Sequence, residues 1–160
     1  MAAMILAAIA LQTAPQIYHP LLTFSAHPEL RRVTTRVEVG LLANGHGEKH
    51  YWFRRTVQAD GSQIAETSWT DSRSCPESRT SLEELTALEG PRPHIYGLDD
   101  TEGIMVTTDG VTYRLEAESA PPYGNGRILL QPNVETPLAR WVEKALARLS
   151  GCWKENQPVR

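Results

Sequence analysis

The sequence predicts an α+β fold, in which a mostly antiparallel sheet of about five to seven strands carries two α-helices on one face. Three observations support this prediction. Short segments alternate between apolar and polar residues and are separated by Asn-Gly and Asp-Gly turn signals. Two other segments have leucines at helical spacing and are bounded by proline and glycine. Along the chain the order is strands, helix, strands, helix.

The first group of strands is predicted from the alternation of residues 31–43, 50–57 and 63–70. Turn signals at Asn44-Gly45 and Asp60-Gly61 separate them, so we predict a three-stranded antiparallel meander. Ahead of it, residues 21–25 are expected to add a short edge strand, because nearby prolines limit its length.

The first helix is predicted to begin at Ser74-Cys75-Pro76-Glu77. Ser74 or Cys75 would be the N-cap, Pro76 would lie in the first turn, and Glu77 would complete a capping box. The helix should end at Gly90-Pro91, and its leucines should face the core. These core leucines are Leu82, Leu85 and Leu88.

The second half of the chain repeats this order. A hairpin is predicted from residues 103–107 and 111–117, joined at Asp109-Gly110, and residues 127–131 form a further short strand. The closing helix has Thr136 as N-cap and Pro137 at its first position. Its predicted apolar stripe consists of Leu138, Trp141, Val142, Ala145, Leu146 and Leu149.

The amino terminus is apolar and uncharged from Met1 to Leu11, which suits the hydrophobic region of a secretory signal and is too short for a membrane span. We therefore expect residues 1–16 to be a signal peptide, cleaved near residues 10–16, with no membrane span after processing. A periplasmic or secreted location follows. The positive charge that usually precedes the apolar run is missing. A buried amino-terminal helix or strand is the alternative, because a short apolar run is ambiguous by pattern alone. The globular domain is expected over residues 17–153, followed by a frayed tail at 154–160.

The two cysteines, Cys75 and Cys152, are expected to form a disulfide, because export would place them in an oxidising compartment. Each lies beside a predicted helix end, as two packed helices could present them. Two alternatives stay open at this stage. The cysteines could be buried free thiols, or Cys75 could be a nucleophile activated by the helix amino terminus.

Composition and motifs exclude several classes of function. The net charge is −3 and the basic pairs Arg31-Arg32 and Arg54-Arg55 are short, so nucleic-acid binding is not expected. The chain has no nucleotide-binding loop, serine-nucleophile motif or zinc-binding helix motif. His46 and His50 are four residues apart but span a turn, so helical geometry cannot make them a zinc pair. We predict no catalytic residue, cofactor or metal ligand.

A nonenzymatic binding or inhibitory module of the cell envelope is therefore the leading functional hypothesis. Its partner, a protein or small ligand, would contact one sheet face or the loops at 91–100 and 119–126. Tyr96 and Tyr123 in these loops are the predicted partner surface, since tyrosines are common at interfaces. The alternative is a small hydrolase-like enzyme with its site near residues 94–102. Its acid-base groups would be His94, Asp99, Asp100 and Glu102.

Overall fold

A computed structural model of the chain describes residues 19–42, 47–90, 110–118 and 126–159. These residues form six strands and two α-helices in the predicted order, which confirms the α+β fold. The elements are β1 (Leu22–Pro28), β2 (Val33–Leu42), β3 (His50–Ala59), β4 (Ala65–Asp71), α1 (Pro76–Thr86), β5 (Val111–Glu118), β6 (Arg127–Leu130) and α2 (Pro137–Arg148). A 3₁₀ turn, Leu149–Gly151, follows α2.

The six strands form one sheet in the order β4-β3-β2-β1-β5-β6, and every neighbouring pair is antiparallel. The predicted meander is present as β2, β3 and β4. The predicted hairpin partner at residues 103–107 lies outside the described residues. The other predicted member of that hairpin is β5, which lies between β1 and β6.

The prediction that β1 is an edge strand is wrong, because it lies between β2 and β5. It pairs with β5 over its whole length, and Pro28 pairs with Val111 at the last position of that ladder. Proline therefore ends the strand without interrupting its hydrogen bonds. Leu22, Phe24 and Ala26 point into the core from this central position.

The main core lies between one face of the sheet and the two helices. Phe24 of β1 meets Trp141 of α2 edge-on, with ring centroids 5.0 Å apart. Tyr113 of β5 donates a hydrogen bond to Glu143 of α2 on the same side. A second, smaller apolar cluster lies on the opposite face and consists of Leu42, Trp52 and Trp69.

The start of α1 differs from the predicted capping box. Cys75 is the N-cap, and its side chain makes no capping hydrogen bond. Asp71 closes the preceding turn instead, since its Oδ1 accepts from the backbone N–H of Arg73 at 2.8 Å and of Ser74 at 3.0 Å. An aspartate commonly binds the backbone a few residues ahead in this way.

The most buried side chains of α1 are serines rather than leucines. Ser78 and Ser81 are almost fully buried, whereas Leu82 and Leu85 pack against the core and stay partly exposed. The helix ends at Thr86, before the predicted end at Gly90-Pro91, so Leu88 packs against the core from beyond the helix. The serine hydroxyls donate hydrogen bonds to backbone carbonyl oxygens one turn earlier, from Ser78 to Cys75 and from Ser81 to Glu77. Both buried hydroxyls therefore have a hydrogen-bond partner. Small side chains at this position let α1 lie close to α2.

The predicted start of α2 is confirmed: Oγ1 of Thr136 accepts a hydrogen bond from the backbone N–H of Ala139 at 3.2 Å, and Pro137 is the first helical residue. The buried residues of the helix are Ala139, Trp141, Val142 and Ala145. They form the apolar stripe that faces the sheet.

The disulfide between Cys75 and Cys152 is confirmed, with a Cα–Cα distance of 5.9 Å. It joins the start of α1 to the turn after α2, so neither free thiols nor a nucleophilic Cys75 describe this structure. The tail is attached where fraying was expected. Lys154 pairs through its backbone with Trp69, and Arg73 donates to the carbonyl oxygen of Val159 at 2.7 Å.

Candidate binding surface

The residues predicted to form the site lie outside the described residues. This applies to both tyrosines of the predicted partner surface and to the acid-base set of the hydrolase-like alternative, at positions 94, 96, 99, 100, 102 and 123. His46 lies outside them as well. The hydrolase-like alternative therefore stays a prediction, and the candidate site of the described structure consists of other residues.

One face of the sheet is packed against the helices, while the other carries polar side chains over most of its area. Strand alternation determines which residues share this second face. Neither described helix packs on it, since α2 contacts the opposite side through Trp141 and Glu143, and α1 packs against the same core through Leu82 and Leu85. Its polar residues across the four central strands include Thr23, Ser25, His27, Thr34, Arg36, Glu38, Arg54, Thr56, Gln58, Thr112, Arg114, Glu116 and Glu118.

A row of charged side chains crosses this face at right angles to the strands, and we call it the arginine ladder. It consists of Arg54 on β3, Arg36 and Glu38 on β2, Arg114 and Glu116 on β5, and Arg127 on β6. Two carboxylates hold its four guanidinium groups.

Glu38 is the carboxylate on the β2 side of the ladder. Its Oε1 is 3.2 Å from Nη2 of Arg36, and its Oε2 accepts a hydrogen bond from Nε of Arg54 at 2.5 Å. The Arg54 guanidinium also lies over the ring of Trp69, 5.5 Å from its centroid. Arg54 is thus fixed from two sides, by a carboxylate and by an aromatic face.

Glu116 is the corresponding carboxylate on β5. Its Oε1 accepts from Nε of Arg114 at 2.8 Å, and its Oε2 lies 3.8 Å from Nη1 of Arg127. The hydrogen bond from Arg114 lowers the pKa of Glu116, and the positive charges of Arg127 and Arg36 lower it further. Arg36 lies across β1 from Glu116, so the charge of an arginine in one half of the ladder acts on the carboxylate of the other half.

The glutamates of the ladder are less exposed to solvent than its arginines. The side chains of Glu38 and Glu116 are 10% and 19% exposed, whereas those of Arg36 and Arg114 are 53% and 48% exposed. The carboxylates therefore lie low on the sheet, and the outer surface of the ladder is cationic. Glu118, which pairs with Arg127 across β5 and β6, adds an exposed acidic residue at the margin.

Small hydroxyl side chains occupy the centre of the ladder. Ser25 lies on β1 directly between Arg36 and Arg114, and Thr23 lies between the two glutamates. We call Thr23 and Ser25 the hydroxyl strip. Hydroxyl groups both donate and accept hydrogen bonds, so the strip offers polar contacts between two rows of arginine.

A second polar cluster on this face brings a hydroxyl, an imidazole and two carboxylates together. Nδ1 of His27 is 2.9 Å from Oγ1 of Thr34, and its Nε2 is 3.8 Å from a carboxylate oxygen of both Glu29 and Asp60. The 3.8 Å separations are too long for the hydrogen bond that orients a catalytic imidazole. Thr34 and His27 face each other across neighbouring strands, so this cluster is a cross-strand contact rather than a catalytic triad.

The described residues also contain a half-open apolar pocket of about 380 Å³. It lies between the end of α1, the start of α2 and strands β5 and β6. Its walls include Leu85, Leu88, Leu115, Leu130, Pro132 and Leu138. The volume is in the range of small-molecule sites, but this lining selects no particular ligand chemistry.

Metal binding finds little support in the described part of the chain. The cluster there with three ligand-type residues consists of Cys75, Glu77 and Cys152, and its two sulfur atoms are bonded to each other. A disulfide offers no thiolate ligand. Among the described residues, no helix combines the length and apolar character needed to cross a membrane.

Comparison with known proteins adds no relative. The chain matches no family model, no curated protein and no solved structure.

Proposed function

We propose that the protein is an exported, nonenzymatic binding module of the cell envelope, and that its binding surface is the arginine ladder with the hydroxyl strip. One observation carries the proposal. Four guanidinium groups lie above two low carboxylates, on a sheet face that neither described helix covers. An inhibitory role would use the same surface to block a partner.

The ladder is suited to binding because its arginines are already held in position. Each guanidinium of the ladder has a carboxylate partner on a neighbouring residue or strand, so less side-chain entropy is lost when a ligand arrives. Arginine is also enriched among the residues that dominate binding energy at interfaces. Trp69 supports Arg54 from below, at the border of the smaller apolar cluster.

The disulfide and the amino-terminal sequence support export. Cys75 and Cys152 are 77 residues apart in the chain and are bonded, as is common in oxidising compartments. The apolar start of the chain has the length of a signal sequence. Intact mass of the expressed protein tests both features. We expect a chain shortened by the signal peptide, and a gain of two hydrogens on reduction; an unshortened chain would contradict export.

Site-specific photo-cross-linking tests the binding surface. A photoreactive residue replaces Ser25 in the full chain, or replaces the exposed Glu83 on α1 as the positional control. Cross-linking is done in intact cells that export the protein, and adducts are identified by mass spectrometry. We expect a defined adduct from position 25 and none from position 83.

A charge-matched pair of double variants completes this experiment. Arg36→Ala/Arg114→Ala should abolish the adduct from position 25. Arg31→Ala/Arg140→Ala removes the same charge from exposed arginines outside the ladder and should leave the adduct intact. The proposal fails if position 25 gives no specific adduct, or if both double variants behave alike.

A further inference from the structure

We infer that the arginine ladder binds an acidic polypeptide segment whose carboxylates are spaced about 10 Å apart and lie across the strands. This inference rests on the proposed function and specifies the chemistry of the partner. Four features of the molecule support it: the charge of the ladder, its free hydrogen-bond donors, the spacing of its arginines and the charge of its surroundings.

The ladder carries an excess of positive charge. Four arginines share two glutamates in the ladder, so two positive charges have no matching negative charge within it. The carboxylates are the less exposed groups, which leaves cationic groups as the first contact for an approaching molecule. Electrostatic complementarity therefore favours an anionic ligand.

The arginines of the ladder have more hydrogen-bond donors than its glutamates use. A guanidinium has five N–H donors, and in the described residues Arg36 is paired only through Nη2, with Glu38. Arg114 uses Nε and Nη2 for Glu116, and among the described residues its Nη1 has no acceptor. These arginines already bind carboxylates on the sheet, and a ligand carboxylate can accept from their outer N–H groups in the same way.

The distance between the arginines sets the spacing of the carboxylates that they can bind. Arg36 and Arg114 lie on strands either side of β1, so two inter-strand distances of about 4.8 Å separate them, roughly 10 Å in all. Ser25 lies midway and can donate a hydrogen bond to the ligand backbone or a carboxylate. In a polyproline II segment, residues i and i+3 lie on the same side and about 9.3 Å apart, which matches this separation.

The surroundings of the ladder argue against longer or broader polyanions. The whole chain has a net charge of −3, and exposed acidic residues flank the ladder at Glu118, Glu29 and Asp60. Nucleic acid or an anionic membrane is larger than the ladder, so its negative charges would also lie near these acidic residues and be repelled by them. A short segment with a few carboxylates contacts the arginines alone.

A peptide-binding measurement on the full, disulfide-bonded protein tests the inference. The probe is a fluorescent, end-capped (Glu-Pro-Pro)₃ peptide, and (Gln-Pro-Pro)₃ is the uncharged control. We expect saturable anisotropy changes with the glutamate peptide only, and weaker affinity as salt rises. Arg36→Ala/Arg114→Ala should weaken binding at least tenfold, while Arg31→Ala/Arg140→Ala should change it less than twofold. Thermal unfolding verifies that both double variants are folded.

A spacing control and a lipid control complete the test. A peptide with three consecutive glutamates followed by six prolines has the same charge, and it should bind several-fold more weakly. Vesicles of anionic phosphatidylglycerol should not bind. The inference is overturned if the spaced glutamate peptide binds no more tightly than the clustered glutamate peptide or the glutamine peptide. It is also overturned if the Arg36→Ala/Arg114→Ala variant binds the spaced peptide as tightly as the wild type does. Arginine-dependent binding to vesicles, without binding to the peptide, would overturn it as well. A specific adduct from position 25 without acidic-peptide binding would overturn only this inference and leave the proposed function standing.

Discussion

The indole Nε1 of Trp141 donates a hydrogen bond to the backbone carbonyl oxygen of Ser81, 2.8 Å away, and so joins α2 to α1. The same ring packs edge-on against Phe24 of the sheet. Trp141 is 4% exposed and thus connects both helices and the central strand in the core. The serine-rich surface of α1 makes this contact close enough for a direct bond.

Replacing Trp141 with Phe should destabilise the protein by at least about 2 kcal/mol, because the Ser81 carbonyl loses its partner and a void forms beside Phe24. Urea unfolding followed by circular dichroism measures the change. Arg140→Ala, one residue earlier on the exposed side of α2, is the control and should cost less than about 0.5 kcal/mol. Equal stability of Trp141→Phe and the wild type would show that the hydrogen bond contributes nothing.

The folded protein should lose stability at alkaline pH because Tyr113 is buried and hydrogen-bonded. Burial and the hydrogen bond to Glu143 raise the pKa of Tyr113 above its usual value of 10.0. Because the folded state favours the protonated phenol, this stabilisation is complete below pH 10.0 and declines as the pH rises above it. Unfolding free energies of the wild type and Tyr113→Phe, measured between neutral pH and about pH 11, should therefore converge with rising pH. Below pH 10.0 the wild type should be more stable by about 1–2 kcal/mol. A difference that is constant across this range would contradict the argument.

Local signals in the sequence were sufficient for most elements of this fold. The alternation in β2 and β3 and the Thr136-Pro137 start of α2 depend on residues close in the chain, and the structure confirms them. The central position of β1 was missed because strand order depends on long-range pairing, which proline content alone does not determine. The wrong capping box has a similar cause, since Asp71 competes for the same turn.

The candidate site was harder to predict than the fold. Arg36 with Glu38, and Arg114 with Glu116, are visible in the sequence as separate strand residues with two-residue spacing, a pattern typical of any solvated strand face. Only the register of β1 brings the two pairs into one row. The Arg54-Arg55 pair illustrates the same limit, because Arg54 belongs to the ladder while Arg55 lies on the helix-facing side and stacks on Trp153, 4.9 Å from its centroid.

Removal of the disulfide should reduce stability substantially. Cys75→Ala/Cys152→Ala opens a loop closed across 77 residues, which the chain-entropy account values at about 4 kcal/mol as an upper figure. We expect a loss of about 2–4 kcal/mol in urea unfolding. Reductant should lower the melting temperature of the wild type and leave that of the double variant unchanged. A wild type indifferent to reductant, under conditions where intact mass shows complete reduction, would refute this expectation.

Gly40 should not tolerate a side chain, because the indole of Trp52 lies against its backbone. A Cβ at this position would lie 2.6 Å from the carbonyl oxygen of His19 and closer still to the Trp52 ring. Trp52 is 1% exposed and cannot move aside into solvent. We therefore expect Gly40→Ala to cost about 1–3 kcal/mol through overpacking.

A double-mutant cycle distinguishes this steric cause from a backbone effect. In the Trp52→Leu background, the contacts with the indole are removed and only the contact with the His19 carbonyl oxygen remains, so Gly40→Ala should cost less there than in the wild type. Gly90→Ala is the control for the substitution itself, because a Cβ at Gly90 meets nothing within 4 Å. If Gly40→Ala costs the same in both backgrounds, the indole contact is not the reason that glycine is required at this position.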